Sequence, residues 1–295
     1  MGELFGRRWR VQIGGFETTD VDIAFKIERT IAARPGHLEL TLYNLTADHR
    51  HEILKAPRRQ YFGSALGERR PGTLVELSAG YADERPVIFR GDLRRARQTR
   101  EAPEWMVTVE AGDGGFALRN ARIARAFAAD TALADVVTAL ADAMGVNEGN
   151  ARDAVAEAEL GRVGALFPEG HVAHGPAADA LTSLCRSAGL EWSVQNGVLQ
   201  ILRRGQALQR SAIVVSASTG MVGSPERTSR RKAKVKTLLI PGLQPGALVE
   251  LSSAVINGTY RVGHMSIAGD TRGGDWYAEL DLTDLAYYES LRLFR

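Results

Sequence analysis

The sequence predicts an α+β chain that is mainly β, with two related antiparallel β-barrel modules at residues 1–118 and 206–295 flanking a small α+β domain at 119–205. Three observations point there. Apolar residues alternate at both ends of the chain, they shift to helical spacing in the middle, and one eight-residue phrase occurs twice. A strand buries every second side chain and an amphipathic helix every third or fourth, so the change of period marks a change of architecture.

The first module opens on MGELFGRRWRVQIGG, which alternates where an export signal needs an apolar block and therefore reads as a first strand with no export address. Val21, Ile23, Phe25 and Ile27 keep the period of two, followed by Leu38, Leu40 and Leu42, then 74–77, 89–93 and 105–109. Six short strands without helical crossovers predict an antiparallel barrel or sandwich. Thr46 is placed to cap a short helix running to about Leu54, ahead of a Gly- and Arg-rich loop at 63–72.

In the middle domain, Leu133, Val136, Val137, Leu140 and Met144 recur at helical spacing between a candidate N-cap, Asp130, and Gly145, which suits a left-handed C-terminal position. A second helix is predicted from Pro176, turning Ala178, Leu181, Leu184, Cys185 and Ala188 inward and stopping at Gly189. EWSVQNGVLQIL then predicts a hairpin, because Asn-Gly tolerates the positive φ of a type I′ turn at both central positions. Residues 147–171 carry no clear pattern. Strands return at 213–215, 235–239, 248–251, 260–265 and 276–282, and the basic stretch GMVGSPERTSRRKAKVK reads as a long loop or extended arm.

The repeated phrase is PGTLVELS at 71–78 and PGALVELS at 245–252. Phe89, Arg90 and Trp105 then match Tyr260, Arg261 and Trp276 at one constant spacing, after the second copy loses three residues. A constant spacing through three strand-like stretches predicts a duplicated module. Its structural core is expected to pair Leu74, Val75, Leu77 and Trp105 with Leu248, Val249, Leu251 and Trp276.

Composition excludes little and motifs exclude more. The formal net charge is +2, and the one cysteine, Cys185, allows no intrachain disulfide. No apolar run approaches the ~20 residues of a membrane-spanning helix. His49 with His51, and His171 with His174, have no companion ligands that would complete a zinc site, so no metal is expected. Ser64, Ser78 and Ser252 lack a nucleophile elbow, Cys185 falls on an apolar helix face, and AGDGGF is a turn rather than a phosphate loop. No catalytic residue and no cofactor is expected. Basic clusters at Arg94, Arg95, Arg97 and Arg100, and at Arg230, Arg231, Lys232, Lys234 and Lys236, lack the interleaved aromatics of a single-strand binder.

Set side by side, ELTLYNLT at 39–46, TGMVGSPER at 219–227, LIPGLQPGALVELSS at 239–253 and NGTYRVGHMSIAGDTRGGDWYAEL at 257–280 resemble the tail hub proteins of tailed bacteriophages. EWSVQNGVLQI is similar to that family's middle domain. The resemblance implies a structural baseplate hub whose modules are tail-tube-like barrels. It further implies a homotrimer that acts as a symmetry adaptor, its six modules seating a six-fold tail tube on one side and a three-fold spike or central fibre on the other. Implied partners are other copies of the chain, the tube, the spike and baseplate wedge or tape-measure proteins, with DNA passing through the lumen of a virion tail assembled in the host cytoplasm. Two other classes stay open on the residues alone: a tail-associated cell-wall hydrolase and a nucleic-acid-binding β-barrel.

Overall fold

A computed structural model describes residues 6–56, 60–61, 69–70, 72–82, 84–159, 166–209 and 211–285. The loop expected at 63–72 lies largely outside the described residues, as does Ser64. The first part of the chain forms β1 (Arg7–Ile13), β2 (Phe16–Thr18), β3 (Ile23–Thr30) and β4 (Gly36–Tyr43). Then come α1 (Ala47–Lys55), the short pair β5 (Gln60–Tyr61) and β6 (Arg69–Arg70), β7 (Leu74–Tyr81), β8 (Val87–Glu101) and β9 (Glu104–Asp113). Alternation in β3 and β4 is strict, with Ile23, Phe25, Ile27, Leu38, Leu40 and Leu42 all buried. Thr46 caps α1 as expected, its hydroxyl accepting from the His49 backbone N–H.

The middle part comprises α2 (Gly115–Asn120), β10 (Arg122–Phe127), β11 (Thr131–Ala132), α3 (Leu133–Met144), α4 (Ala151–Glu159), β12 (Leu166–Phe167), β13 (His171–Pro176), α5 (Ala177–Ala188), β14 (Leu190–Gln195) and β15 (Val198–Arg203). Both long helices end as their glycines require, with φ of 66° at Gly145 and 71° at Gly189. Asp130 does not cap α3: it sits at φ 62° before β11, and the helix starts from Ala132 without a side-chain cap. Asn196 and Gly197 take φ of 55° and 78°, the turn the Asn-Gly pair predicts. The unpatterned stretch holds α4, in which Ala151 and Val155 are the fully buried apolar side chains among the described residues.

The last part forms β16 (Ile213–Ser216), β17 (Met221–Ser229), β18 (Lys232–Thr237), β19 (Leu248–Ser252), β20 (Gly258–Asp270) and β21 (Trp276–Asp284). The basic stretch expected as a loop or arm is instead the hairpin β17–β18. Its strands carry few apolar residues because one face meets solvent and β17 ends the sheet.

Thirteen strands join in one sheet. Neighbours run β17-β18-β21-β20-β3-β4-β9-β8-β7-β1-β2, with β19 beside β20 and β16 beside β19. All pairings in it are antiparallel except β16 with β19. The path has two ends and does not close on itself, and β3 joins β20 to make the two modules one surface. One hydrophobic core runs from Val11 to Leu282 beneath both modules, while a second, formed by residues between Ala117 and Ile201, belongs to the middle unit.

Candidate assembly surface

The two modules share a strand order: β3-β4-β9-β8-β7-β1 in one and β17-β18-β21-β20-β19-β16 in the other. They also share an irregularity. A bulge in β8 at Arg94 faces Ala111 and Glu110, and a bulge in β20 at Gly263 faces Leu282 and Asp281. Matched at these bulges, Ala111, Val109, Val107 and Trp105 fall on Leu282, Leu280, Ala278 and Trp276. Val75 pairs with Gly91 and Val249 with Tyr260, which puts the two copies of the repeated phrase in the same register. The match of Phe89 with Tyr260 expected from sequence is off by two residues: Gly91 stands where Tyr260 does, and Leu93 where Val262 does. Slipping by two keeps every side chain on its face, so an alternation pattern cannot detect it.

Not all repeat residues are buried. Val75, Leu77, Val249, Leu251 and Trp276 are in the core, whereas Leu74 is exposed and Leu248 and Trp105 are half-buried. Leu74 and Leu248 each precede an inward valine and therefore face the other side of the sheet. The two tryptophans differ by what covers them. Phe25 stacks edge-on against Trp276 at 5.5 Å, Trp9 lies 6.4 Å away, and the Arg7 guanidinium sits 5.4 Å over the ring. Among the described residues, Trp105 has the guanidinium groups of Arg50 and Arg100 against it, at 4.6 and 5.3 Å.

Beside the β3–β20 ladder and the shared core, the modules meet through polar groups, most of which sequence reading did not single out. Arg272, in the turn after β20, pairs with Asp22 at 3.0 Å and Glu104 at 2.8 Å and lies 4.1 Å over Tyr43. Arg7 donates to the carbonyls of Asp270, Gly273 and Gly274, each at 3.0 Å. The β14–β15 hairpin straps both modules. At its tip the Asn196 and Gly197 N–H groups donate to Asp113, and the Arg29 guanidinium donates to Gln195 at 2.9 Å. At its base Glu191 accepts from Arg261, a nearly buried cation, at 3.1 Å. Burial pushes the Asp113 carboxyl up to about 6, against the pull of those N–H donors and of Arg29. Of these groups the sequence marks the Asn196-Gly197 turn and Arg261 of the repeat, but not their partners.

The glycines of AGDGGF make room. A side chain at Gly112 or Gly115 would collide with the Arg94 guanidinium, and Gly114 takes φ 67° to start α2. Among the other residues weighed in the sequence, His49 packs on Phe16 and His171 stacks on Phe167. Cys185 is buried, and burial pushes its thiol up to about 12, away from nucleophilic use.

The sheet's outer face is polar and of mixed sign. It carries Lys232, Lys234 and Lys236 on β18, Glu279 and Asp281 on β21, His264 on β20, Lys26 and Glu28 on β3, Glu39 on β4, and Arg95 and Arg97 on β8. Lys234 pairs with Glu279 at 2.7 Å, His264 with Glu28 at 2.9 Å, and Lys26 with Glu28 at 3.0 Å. The basic cluster of β17–β18 thus lies at one end of the sheet, whereas that of β8 lies on an interior strand between β9 and β7.

Two like β modules fused through one sheet, with a small α+β unit strapped across them, define a phage-tail type of fold. The structure is similar to a 43 kDa tail protein of prophage MuSo2 from Shewanella oneidensis, at 11% identity and TM-score 0.60, covering 94% of this chain and 98% of that one. It is similar to a tail protein from Neisseria meningitidis at 12% identity and TM-score 0.62, covering 95% and 97%. It also resembles the E. coli c3393 protein, a type VI secretion system component described as structurally similar to T4 tail proteins gp27 and gp5, at 9% identity and TM-score 0.56, covering 93% and 76%. No curated protein matches the chain. The chain belongs to the Baseplate hub gp41 family, which it matches over residues 11–281. It is a structural protein of the phage tail baseplate.

Proposed function

We propose that this hub protein is a homotrimeric symmetry adaptor, each chain contributing two tail-tube-like modules to a ring that seats a six-fold tail tube on one face and a three-fold spike or central fibre on the other. The observation that carries this reading is the common strand order and common bulge of the two modules. Three chains then present six like modules while keeping three-fold symmetry, and cyclic closure avoids open-ended fibres. The duplication spans 1–118 and 206–295, with Leu74, Val75, Leu77 and Trp105 standing for Leu248, Val249, Leu251 and Trp276, and the strapped unit at 119–205 sets the angle between modules.

The open sheet supports ring-level closure: curvature that one chain leaves unfinished is completed by its neighbours, and the polar outer face lines the channel through which DNA passes. Wedge or tape-measure proteins are the further neighbours in the tail, and the particle assembles in the bacterial host cytoplasm. The role is structural, without catalysis. Cryo-electron microscopy of the native particle is the test. Three copies at the end of the tube are expected; two, five or six copies would falsify the adaptor.

A further inference from the structure

A cavity of about 210 Å³ lies at the seam of the two modules. It is lined by Ala79 of β7, Ile88 of β8, Met265 and Ile267 of β20, the loop 239–244 and Arg29 of β3. Arg29 falls on the same side of β3 as Ile27 and Phe25, so its guanidinium enters this apolar surround from the inward face of the sheet. The residue is 4% exposed. Its Nε donates to the Gln195 side chain at 2.9 Å, and one terminal nitrogen donates to the Ile88 carbonyl at 3.1 Å. The other terminal nitrogen is buried and has no partner among the described residues. A buried donor left unpaired costs free energy, and an unpaired one on a cation costs more, so this nitrogen calls for an acceptor.

The lining decides what kind of acceptor fits. Carbonyls around the cavity are already hydrogen-bonded: Pro86 accepts from Ala79, Ile88 from Arg29 and Ile240 from Leu243. The Asn196 side-chain oxygen accepts from the Arg90 N–H. A buried water makes about three hydrogen bonds, and here it would accept from Arg29 but direct its own hydrogens at oxygens that are already bonded. Charge discriminates further. Arg29 and the buried Asp113 carboxyl already act on each other as opposite charges. An anion would bring a second negative charge near Asp113 where screening is weak, whereas a neutral acceptor leaves the balance intact.

We propose that this cavity binds a compact, neutral, apolar molecule bearing one carbonyl oxygen and no hydrogen-bond donor. The oxygen accepts from the unpaired nitrogen of Arg29, and the hydrocarbon part packs on Met265, Ile267 and Ile240. Volume sets the size of the ligand. Cavities for drug-sized molecules start at about 300 Å³, so this one takes a small ring or a short branched chain. The occupant touches Ile88 in the first module and the loop 239–244 in the second, which adds apolar contact across the seam. The site is complete within one chain, whatever the number of copies in the tail.

Cyclohexanone is the probe, titrated into the full chain with the methyl NMR signals of Met265 and Ile240 as reporters. Saturable shifts at both, at about millimolar probe, are expected for so small a ligand. Cyclohexane lacks the acceptor and cyclohexanecarboxylate carries a charge. Each is expected to bind at least about tenfold more weakly, the first for want of a hydrogen bond to a charged donor and the second for the lost charge balance. Arg29→Met keeps apolar bulk and removes the donor, so cyclohexanone and cyclohexane should then bind alike. A preference for the ketone that survives in this variant overturns the role of Arg29. Should the variant fail to fold, the probe series on the unmodified protein decides. Equal affinity for the three probes would mean an apolar hole without selectivity, and tightest binding of the carboxylate would mean an anion site. Either result, or the absence of a saturable shift at Met265 and Ile240, overturns the proposal.

Discussion

Asp113 shows how far a single side chain can matter without any catalytic duty. Its carboxylate accepts from two backbone N–H groups of the β14–β15 turn, and its own position at the end of β9 is buried. Removing the acceptor strands those donors, so Asp113→Ala is expected to cost about 1–3 kcal/mol, while Asp113→Asn, which keeps one acceptor oxygen, costs less. Equal losses in urea denaturation would refute this assignment. The pH dependence has a definite sign. The folded-state value, about 6, lies above the unfolded 3.8, so the folded protein binds the proton more tightly. The resulting stabilisation is complete below about 4 and is lost as pH rises through about 6. The urea midpoint of the wild type should therefore gain on that of Asp113→Asn as pH falls from 7 to 4; parallel profiles would sink the claim. Trp276 and Trp105 make a second comparison at this scale. Trp276→Ala removes a buried ring and is expected to cost about 3–5 kcal/mol, whereas Trp105→Ala, at a half-covered site, costs clearly less in the isolated chain. Thermal unfolding of both variants measures the difference, and equal shifts would argue against it.

At the scale of elements, legibility followed local chemistry. Helices α3 and α5 could be read because their apolar spacing and terminal glycines act within a few residues. The β14–β15 turn could be read because Asn-Gly answers to backbone geometry alone. Helix α4 was hidden, since Ala151 and Val155 are too small a stripe to register as a period, and it is held partly by the Asn150 side chain bridging the backbone of Ile201. Strands β10 and β13 were hidden because most of their residues are exposed. The strap between modules was illegible for a different reason: Arg29, Arg261, Glu191 and Asp113 meet only after the chain has folded back over long separations. The turn of the strap offers a test. Gly197 has open space around its α-carbon, so Gly197→Ala meets no neighbour and costs only the strain of its left-handed backbone, about 1–2 kcal/mol. A denaturation midpoint unchanged by that substitution would show that the turn tolerates a side chain freely.

At the scale of the whole molecule, the continuous sheet turns charge into a question of transport. DNA binders that hold their ligand do so by presenting cations to phosphates, and each neutralised phosphate steepens the loss of affinity with salt. The polar face here is arranged otherwise. Lys234 is engaged by Glu279, Lys26 by Glu28, and Arg97 by Glu39, so cations on this face are interleaved with carboxylates. Exposed pairs of this kind add little stability, but they lower the net positive potential that a polyanion meets. In the ring proposed above, a channel lined this way lets DNA pass without gripping it. The purified chain is accordingly expected to bind duplex DNA no tighter than non-specific affinity, roughly 10⁻⁴ M near physiological salt, with a log–log salt slope shallower than about −3. Replacing Glu28 and Glu279 together by glutamine frees two cations on the face, Lys26 and Lys234, and should tighten binding and steepen that slope. Fluorescence anisotropy over a salt series checks both expectations. Nanomolar binding by the unmodified chain, or a double variant indistinguishable from it, would mean that this face does not set how the protein meets DNA.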